Sequence, residues 1–131
     1  MEFNNNQPIF IQIANLICRR VLNGTYKPDN RIPSVRELGV ETEVNPNTVM
    51  RSYERLQNGG IIYNKRGIGY FISLDAPENI QKQRYAAFMH EELPVIFREM
   101  QLLGISIDDL IDSYKNYLSN ELISDKDENK Q

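Results

Sequence analysis

Two closely spaced helix starts stand out in residues 34–60, SVRELGVETEVNPNTVMRSYERLQNGG. Ser34 is followed three positions later by Glu37, the spacing of a capping box, in which each side chain accepts from the other residue's backbone N–H. Asn45 and Pro46 make the second start, because asparagine caps helices and proline suits the first helical position. The two predicted helices cover residues 34–41 and 46–58. Since only a short polar stretch joins them, the pair is a helix-turn-helix candidate.

The residues on either side of this pair predict a winged fold. Apolar residues at helical spacing, with a glycine after them, predict a first helix over residues 8–23. Two short segments rich in β-branched and aromatic residues, 61–64 and 70–73, flank a basic link that contains two glycines. This pattern indicates a β-hairpin, and a hairpin directly after a helix-turn-helix is a wing.

The remainder of the chain is predicted to form two more helices. One covers residues 77–103, and Pro94 inside its apolar pattern should kink it. The other covers residues 107–122 and is capped by Ser106 and Asp109. Two helices make a thin core, so their apolar stripes need a further surface to cover them.

The second helix of the pair has a polar face suited to reading DNA. In a helical projection Val49, Tyr53 and Leu56 fall on one side, and a polar set falls within a roughly 100° arc opposite them. The polar set consists of Asn47, Thr48, Arg51 and Arg55. Arginine can bridge two acceptors of guanine, asparagine can pair with adenine, and threonine can contact a base or a phosphate. A polar helix face is more often simply solvated, but here the order of caps, turn and basic hairpin favours DNA contact.

Other candidate DNA contacts lie outside this arc. Asn45 and free backbone N–H groups at the helix start could hold a phosphate. Lys65 and Arg66, in the hairpin link, could reach the sugar-phosphate backbone or the minor groove. Arg36, early in the preceding helix, is a further candidate for a phosphate or a base.

Charge is divided unevenly along the 131 residues. Residues 1–74 carry nine Lys or Arg and six Asp or Glu, a net charge of +3, whereas residues 75–131 carry six and twelve, a net charge of −6. Such asymmetry is one sign of a nucleic-acid partner, because the basic half would orient toward a polyanion.

The sequence points to no targeting segment and to no catalytic or metal site. No signal peptide is expected from the first six residues, and no apolar stretch approaches the ~18 residues of a membrane span. Cys18 is the sole cysteine, so it is expected to be a core residue, and a cytoplasmic location is expected. Because no nucleophile–base pair, metal-spaced cluster or phosphate loop is visible, neither enzyme activity nor a cofactor is expected.

With these motifs the chain resembles the GntR superfamily of bacterial transcription factors, and its short tail resembles the YtrA-like branch. The resemblance is carried mainly by Pro-Ser-Val-Arg-Glu-Leu at 33–38 and Asn-Pro-Asn-Thr-Val at 45–49. It implies a homodimer on a pseudo-palindromic operator, often repressing genes of membrane transporters. By motif match it implies DNA contacts at Arg36, Asn45, Asn47, Thr48, Arg51, Arg66 and Gly67.

The sequence departs from the family pattern at three positions. Glu43 and Asp29 stand where a glycine is usual, so a left-handed backbone at Glu43 would cost about 1–2 kcal/mol. Ile68 stands where the wing usually carries a basic residue, so the wing is expected to make fewer contacts.

The expected fold class is mainly α with a small β-hairpin: an N-terminal winged helix-turn-helix and a short two-helix C-terminal dimerisation arm. The predicted domains are residues 1–75 for DNA binding, 76–123 for the arm and 124–131 for a flexible tail. A second copy related by two-fold symmetry would cover the arm's stripes, although the arm could instead fold back on its own head. The sequence also leaves open an unidentified small-molecule effector, and a winged helix that serves as a protein-interaction module without sequence-specific DNA binding.

Overall fold

The computed structural model describes residues 6–128, and the side chains of residues 6–123. The helices and strands, in chain order, are α1 (Ile9–Leu22), α2 (Val35–Thr42), α3 (Pro46–Asn58), β1 (Ile62–Lys65), β2 (Gly69–Ile72), α4 (Ala76–Ala87), a π-helical turn (Phe88–Glu92), α5 (Leu93–Leu103) and α6 (Ile107–Glu128). The mainly helical fold with one small hairpin confirms the predicted fold class.

Helices α2 and α3 begin where their caps were predicted. The Ser34 hydroxyl accepts from the Glu37 N–H at 3.1 Å, and the Glu37 carboxylate accepts from the Ser34 N–H at 3.1 Å. Asn45 caps α3 through its side-chain oxygen, with Pro46 as the first helical residue. Helix α1 lies within one residue of its predicted ends.

The core lies between α1, α2, α3 and the hairpin. Its centre is made of fully buried side chains from each element, including Ile17, Leu38, Val49, Tyr53 and Ile72. The buried Tyr53 hydroxyl donates to the Pro33 carbonyl at 2.6 Å, so the polar end of the largest core side chain is satisfied.

A third short segment pairs with the hairpin. Strands β1 and β2 are antiparallel, with Ile62 opposite Ile72 and Lys65 opposite Gly69. An antiparallel bridge joins Arg31 to Phe71 on the other edge of β2. The loop before α2 is therefore attached to the wing.

Both non-glycine residues with positive φ in the described chain stand where the family pattern has glycine: Glu43 (φ 58°) and Asp29 (φ 67°). Glu43 ends α2, and the Val44 N–H returns to the Gly39 carbonyl at 3.0 Å. A Cβ on Gly39 would lie 2.8 Å from the Val44 oxygen, so the turn needs glycine there. The Asp29 carboxylate, in contrast, accepts from the Tyr63 hydroxyl at 2.6 Å.

The chain divides into two compact units, the first ending at Tyr85 and the second beginning at Ala86. This division falls about ten residues after the predicted boundary at 75/76, because the start of α4 belongs to the first unit. Ala76 and Ile80 are buried in its core. The Asn79 amide donates to the Gly60 carbonyl and the Gln83 amide to the Gly59 carbonyl, each at 2.9 Å.

The second unit has no buried residue among residues 86–123. The predicted long helix is interrupted by the π turn just before Pro94, which has no N–H to give to the carbonyl four residues back. Ser106 and Asp109 form the predicted cap of α6, with both bonds at 3.1 Å. Helix α6 continues to Glu128, past the predicted end at 122, and the last part of the predicted tail, 129–131, lies outside the described residues.

Within residues 6–128, none of the helices has the length and apolar character that crossing a membrane requires.

Candidate nucleic-acid interface

Packing of α3 determines which of its side chains face solvent. Val49, Ser52, Tyr53 and Leu56 are buried against the rest of the first unit. Asn47 and Arg51, on the opposite side, are exposed, and Thr48 is half-buried at the edge. The helix therefore presents the predicted polar face to solvent.

The start of α3 differs from the prediction in one respect, because its first backbone N–H groups are already bonded. Pro46 has no N–H, and the Asn47 N–H donates to the Asn45 side-chain oxygen at 2.8 Å. The Thr48 and Val49 N–H groups donate to the Asn45 carbonyl at 2.9 and 3.1 Å. The expected free N–H groups are therefore absent here, and Asn45 keeps only its amide NH₂ for a ligand.

Arg51 is exposed and lies over the ring of a neighbouring side chain. Its guanidinium carbon lies 4.2 Å from the centroid of the Phe10 ring, near the start of α1. The two residues line a shallow groove with Glu54, Arg55, Asn58, Gly59 and Gln83. The periodicity of α1 had placed Phe10 in the apolar stripe facing the core, whereas the structure leaves it half-buried beneath Arg51.

The hairpin link brings the predicted wing residues to one exposed tip. The Ile68 N–H donates to the Lys65 carbonyl at 2.9 Å, and Gly67 at φ 80° provides the left-handed position that this turn requires. Lys65 Nζ lies 4.5 Å from the Phe71 ring centroid, so its stem runs along the sheet. Arg66 is exposed and makes no hydrogen bond or ion pair with any residue the structure describes.

Arg36 occupies the second position of α2 and is exposed, with no partner in the described part of the chain. Arg20, the basic residue that pairs instead, bonds Glu41 at 2.6 Å and ties α1 to α2. Arg20 therefore joins two helices, whereas Arg36 and Arg66 are left to solvent.

Sequence reasoning missed two side chains beside this face. Met50 is 39% exposed on α3, and its sulfur lies 3.8 Å from the hydroxyl of Tyr70 in β2. The Tyr70 ring packs edge-on against Tyr53, with centroids 4.9 Å apart. The helix and the wing are therefore in contact at Met50. The alternation of β2 is compatible with an inward-facing Tyr70, but no sequence signal pairs it with Met50.

Local environment sets the charge state of several groups. Hydrogen bonds from Ser34 lower the pKa of the Glu37 carboxyl, which favours the ionised cap. Burial raises the pKa of the Tyr53 phenol and of the Cys18 thiol, so both stay protonated at neutral pH. Cys18 packs against the core, as expected from its position in the first helix. Among the described residues no group of three or more His, Cys, Asp or Glu side chains could hold a metal ion.

Comparison with known proteins finds the same architecture in bacterial regulators. Residues 11–72 match the sequence profile described as bacterial regulatory proteins, gntR family. Two proteins of Bacillus subtilis (strain 168) are each 32% identical to the chain. The match to the HTH-type transcriptional regulator YhcF covers 88% of this chain and 94% of YhcF. The match to the HTH-type transcriptional repressor YtrA covers 81% of this chain and 81% of YtrA. A crystal structure of a GntR-family transcriptional regulator from Bacteroides thetaiotaomicron has 45% identity and a TM-score of 0.79, covering 87% of this chain and 99% of that one. The profile ends with the hairpin, whereas the matches to the two relatives and to the solved structure extend past it into the C-terminal helices.

Proposed function

Since the chain belongs to the gntR family of bacterial regulatory proteins, in its YtrA-like branch, and is a DNA-binding transcriptional regulator, we propose that it represses transcription by binding a pseudo-palindromic operator as a homodimer. It is a regulator and not an enzyme. The observation that carries the proposal is the exposed face of α3, with Asn47 and Arg51 side by side on a helix whose other side is fully buried. The repressor named YtrA, 32% identical over most of both chains, supports the direction of regulation.

Each candidate residue has a proposed role that follows from its chemistry. Arg51 and Asn47 read base edges in the major groove, and Thr48 at the edge of α3 contacts a base or a phosphate. Arg36 and the amide group of Asn45 bind phosphates and fix the register of α3. The wing residues Lys65, Arg66 and Gly67 meet the neighbouring sugar-phosphate backbone or minor groove.

DNA selection tests this function directly. Purified protein is mixed with random duplexes, and the bound sequences are amplified and read. We expect enrichment of one motif with two-fold symmetry, and affinity for it that falls steeply with salt because bound phosphates release counterions. If no motif is enriched, the protein acts instead as a winged-helix protein-interaction module.

Arg51→Ala tests the reading face. We expect a loss of about 1–3 kcal/mol in binding to the selected DNA, with weaker preference at one base pair. Arg51→Lys keeps the charge but loses the two-pronged geometry, so it should lose base preference as well. The matched control is Arg19→Ala, which removes an exposed positive charge from α1. Equal losses for Arg51→Ala and Arg19→Ala would rule out base reading by Arg51.

The proposed dimer is supported by the lack of a buried core among residues 86–123 of the second unit. Large apolar side chains of α5 and α6 are exposed, among them Ile96, Phe97, Leu103, Ile111, Leu118 and Leu122. Exposed apolar area on this scale marks an interaction surface, and a second copy covers the same surface on both molecules. A dimer would also place two α3 helices to read half-sites roughly 34 Å apart, one turn of DNA. The proposed organisation is therefore a DNA-binding part followed by a dimerisation arm.

Solution mass tests the dimer. The parent should sediment at twice the chain mass at micromolar concentration. Leu118→Asp with Ile111→Asp should give a monomer that binds the selected DNA more weakly, because a buried unpaired carboxylate is costly. Asn116→Asp, an exposed polar position on the same helix, is the control and should leave the dimer intact. A monomeric parent would exclude the proposed arm.

A cytoplasmic location, control of transporter genes and an unidentified effector stay predictions. Three aromatic side chains that could line an effector pocket, Tyr85, Phe88 and Phe97, are exposed.

A further inference from the structure

Phe10 and α3 are held together by two independent contacts. The Ser52 hydroxyl, fully buried in α3, donates to the Phe10 carbonyl at 2.6 Å. The Phe10 ring then lies 4.2 Å from the guanidinium carbon of Arg51, one residue before Ser52. The backbone that carries the ring is thus fixed to the helix that carries the arginine.

We propose that Phe10 is a positioning residue for DNA recognition: its ring holds the Arg51 guanidinium in the orientation that reads a base pair. This inference rests on the proposed role of Arg51. A free arginine side chain samples many rotamers, and stacking on an aromatic ring removes much of that freedom before DNA arrives. A guanidinium over a ring uses its face, so its N–H edge is left for the two acceptors of a guanine.

The neighbouring carboxylate gives the ring a second effect. Glu54 lines the same groove one turn further along α3, within the distance at which helical side chains of opposite charge pair. In the described chain Arg51 nevertheless lies over Phe10 and forms no ion pair with Glu54. Without the ring, Glu54 would compete with DNA for the guanidinium.

A double-mutant cycle tests the proposal. Binding is measured to two duplexes. One is the duplex selected by the parent, and the other is altered at the base pair for which Arg51→Ala weakens the preference. We expect Phe10→Leu to reduce discrimination between the two duplexes by about two- to fivefold, the range that an exposed stacking contact provides. In the Arg51→Ala background the same change should have no effect. Phe10→Tyr, which keeps the ring, should discriminate like the parent.

Two measurements separate positioning from general damage. Ile9→Val, at the neighbouring half-exposed site, is the control for disturbance at the start of α1. If thermal unfolding shows that Phe10→Leu destabilises the fold, Phe10→Met, with similar volume and no ring, is compared instead. Unchanged discrimination in the ring-free variant, or an equal loss with and without Arg51, overturns the inference while leaving the proposed function standing. Parent-like binding by Arg51→Ala overturns the role of Arg51 itself, and the inference with it.

Discussion

Replacing Glu43 with glycine is expected to stabilise the protein, although it removes a side chain. Glu43 has φ 58° and ψ 38°, a left-handed conformation that costs a non-glycine residue about 1–2 kcal/mol. Glycine removes that cost but adds about 0.4–1 kcal/mol of conformational entropy to the unfolded chain. The net gain in the free energy of unfolding should therefore be about 0.5–1 kcal/mol. The bonds that close the turn involve only backbone atoms, so they survive the change.

Asp29→Gly is the matched comparison, because it relieves a similar conformation at φ 67°. It also removes the carboxylate that accepts from the Tyr63 hydroxyl, so its gain should be smaller or reversed. Hydrogen bonding to Asp29 raises the pKa of the Tyr63 phenol, and that shift should disappear in the variant.

Urea unfolding followed by far-UV circular dichroism measures these differences at one fixed protein concentration, since dimers unfold in a concentration-dependent way. Glu43→Gln removes the charge but keeps a non-glycine residue in the left-handed conformation, so the difference in stability between the Gly and Gln variants isolates the backbone effect. If Glu43→Gly proved no more stable than Glu43→Gln, the explanation by left-handed strain would be wrong.

Two further predictions concern the same helix-turn-helix. The stability of the protein should decline as pH falls below the ordinary glutamate pKa of 4.5. The cap lowers the pKa of Glu37 in the folded state, so the stability that the ionised Glu37 contributes is lost when the carboxylate is protonated. In thermal unfolding at a series of pH values, the stability of Glu37→Gln should decline less over the same range. Gly39→Ala should lower the unfolding temperature even though alanine normally favours a helix by about 1 kcal/mol, since its Cβ would meet the Val44 carbonyl oxygen at 2.8 Å. An unfolding temperature raised by Gly39→Ala would show that the turn can relax.

The parts of the fold predictable from sequence are those specified by near neighbours. The Ser34–Glu37 and Asn45–Pro46 caps involve residues at most three positions apart, so their spacing alone specifies the geometry. The same holds for the exposed face of α3, because helical periodicity is local. The left-handed backbone at Asp29 and Glu43 is also predictable, because the family pattern has glycine at these two positions and the conformation concerns one residue at a time.

Contacts between distant segments were not predictable in this way. Phe10 and Arg51 lie in different helices, α1 and α3, and are far apart in the sequence. Helical periodicity alone assigns Phe10 to the core. The attachment of Arg31 to β2 likewise depends on how the loop before α2 folds back.

Two hydrogen bonds, donated by side-chain amides of α4 to backbone carbonyls just after α3, bear on how short a fragment of this protein can still form the DNA-binding unit. The last carbonyls of a helix have no hydrogen-bond donor within the helix. Just after α3, the Gly59 carbonyl accepts a hydrogen bond from the Gln83 amide, and the Gly60 carbonyl accepts one from the Asn79 amide. A fragment cut after the hairpin would lose these donors and also expose the sites of Ala76 and Ile80. Helix α4 is therefore a structural part of the DNA-binding unit, and a fragment designed to bind DNA on its own has to extend past Gln83.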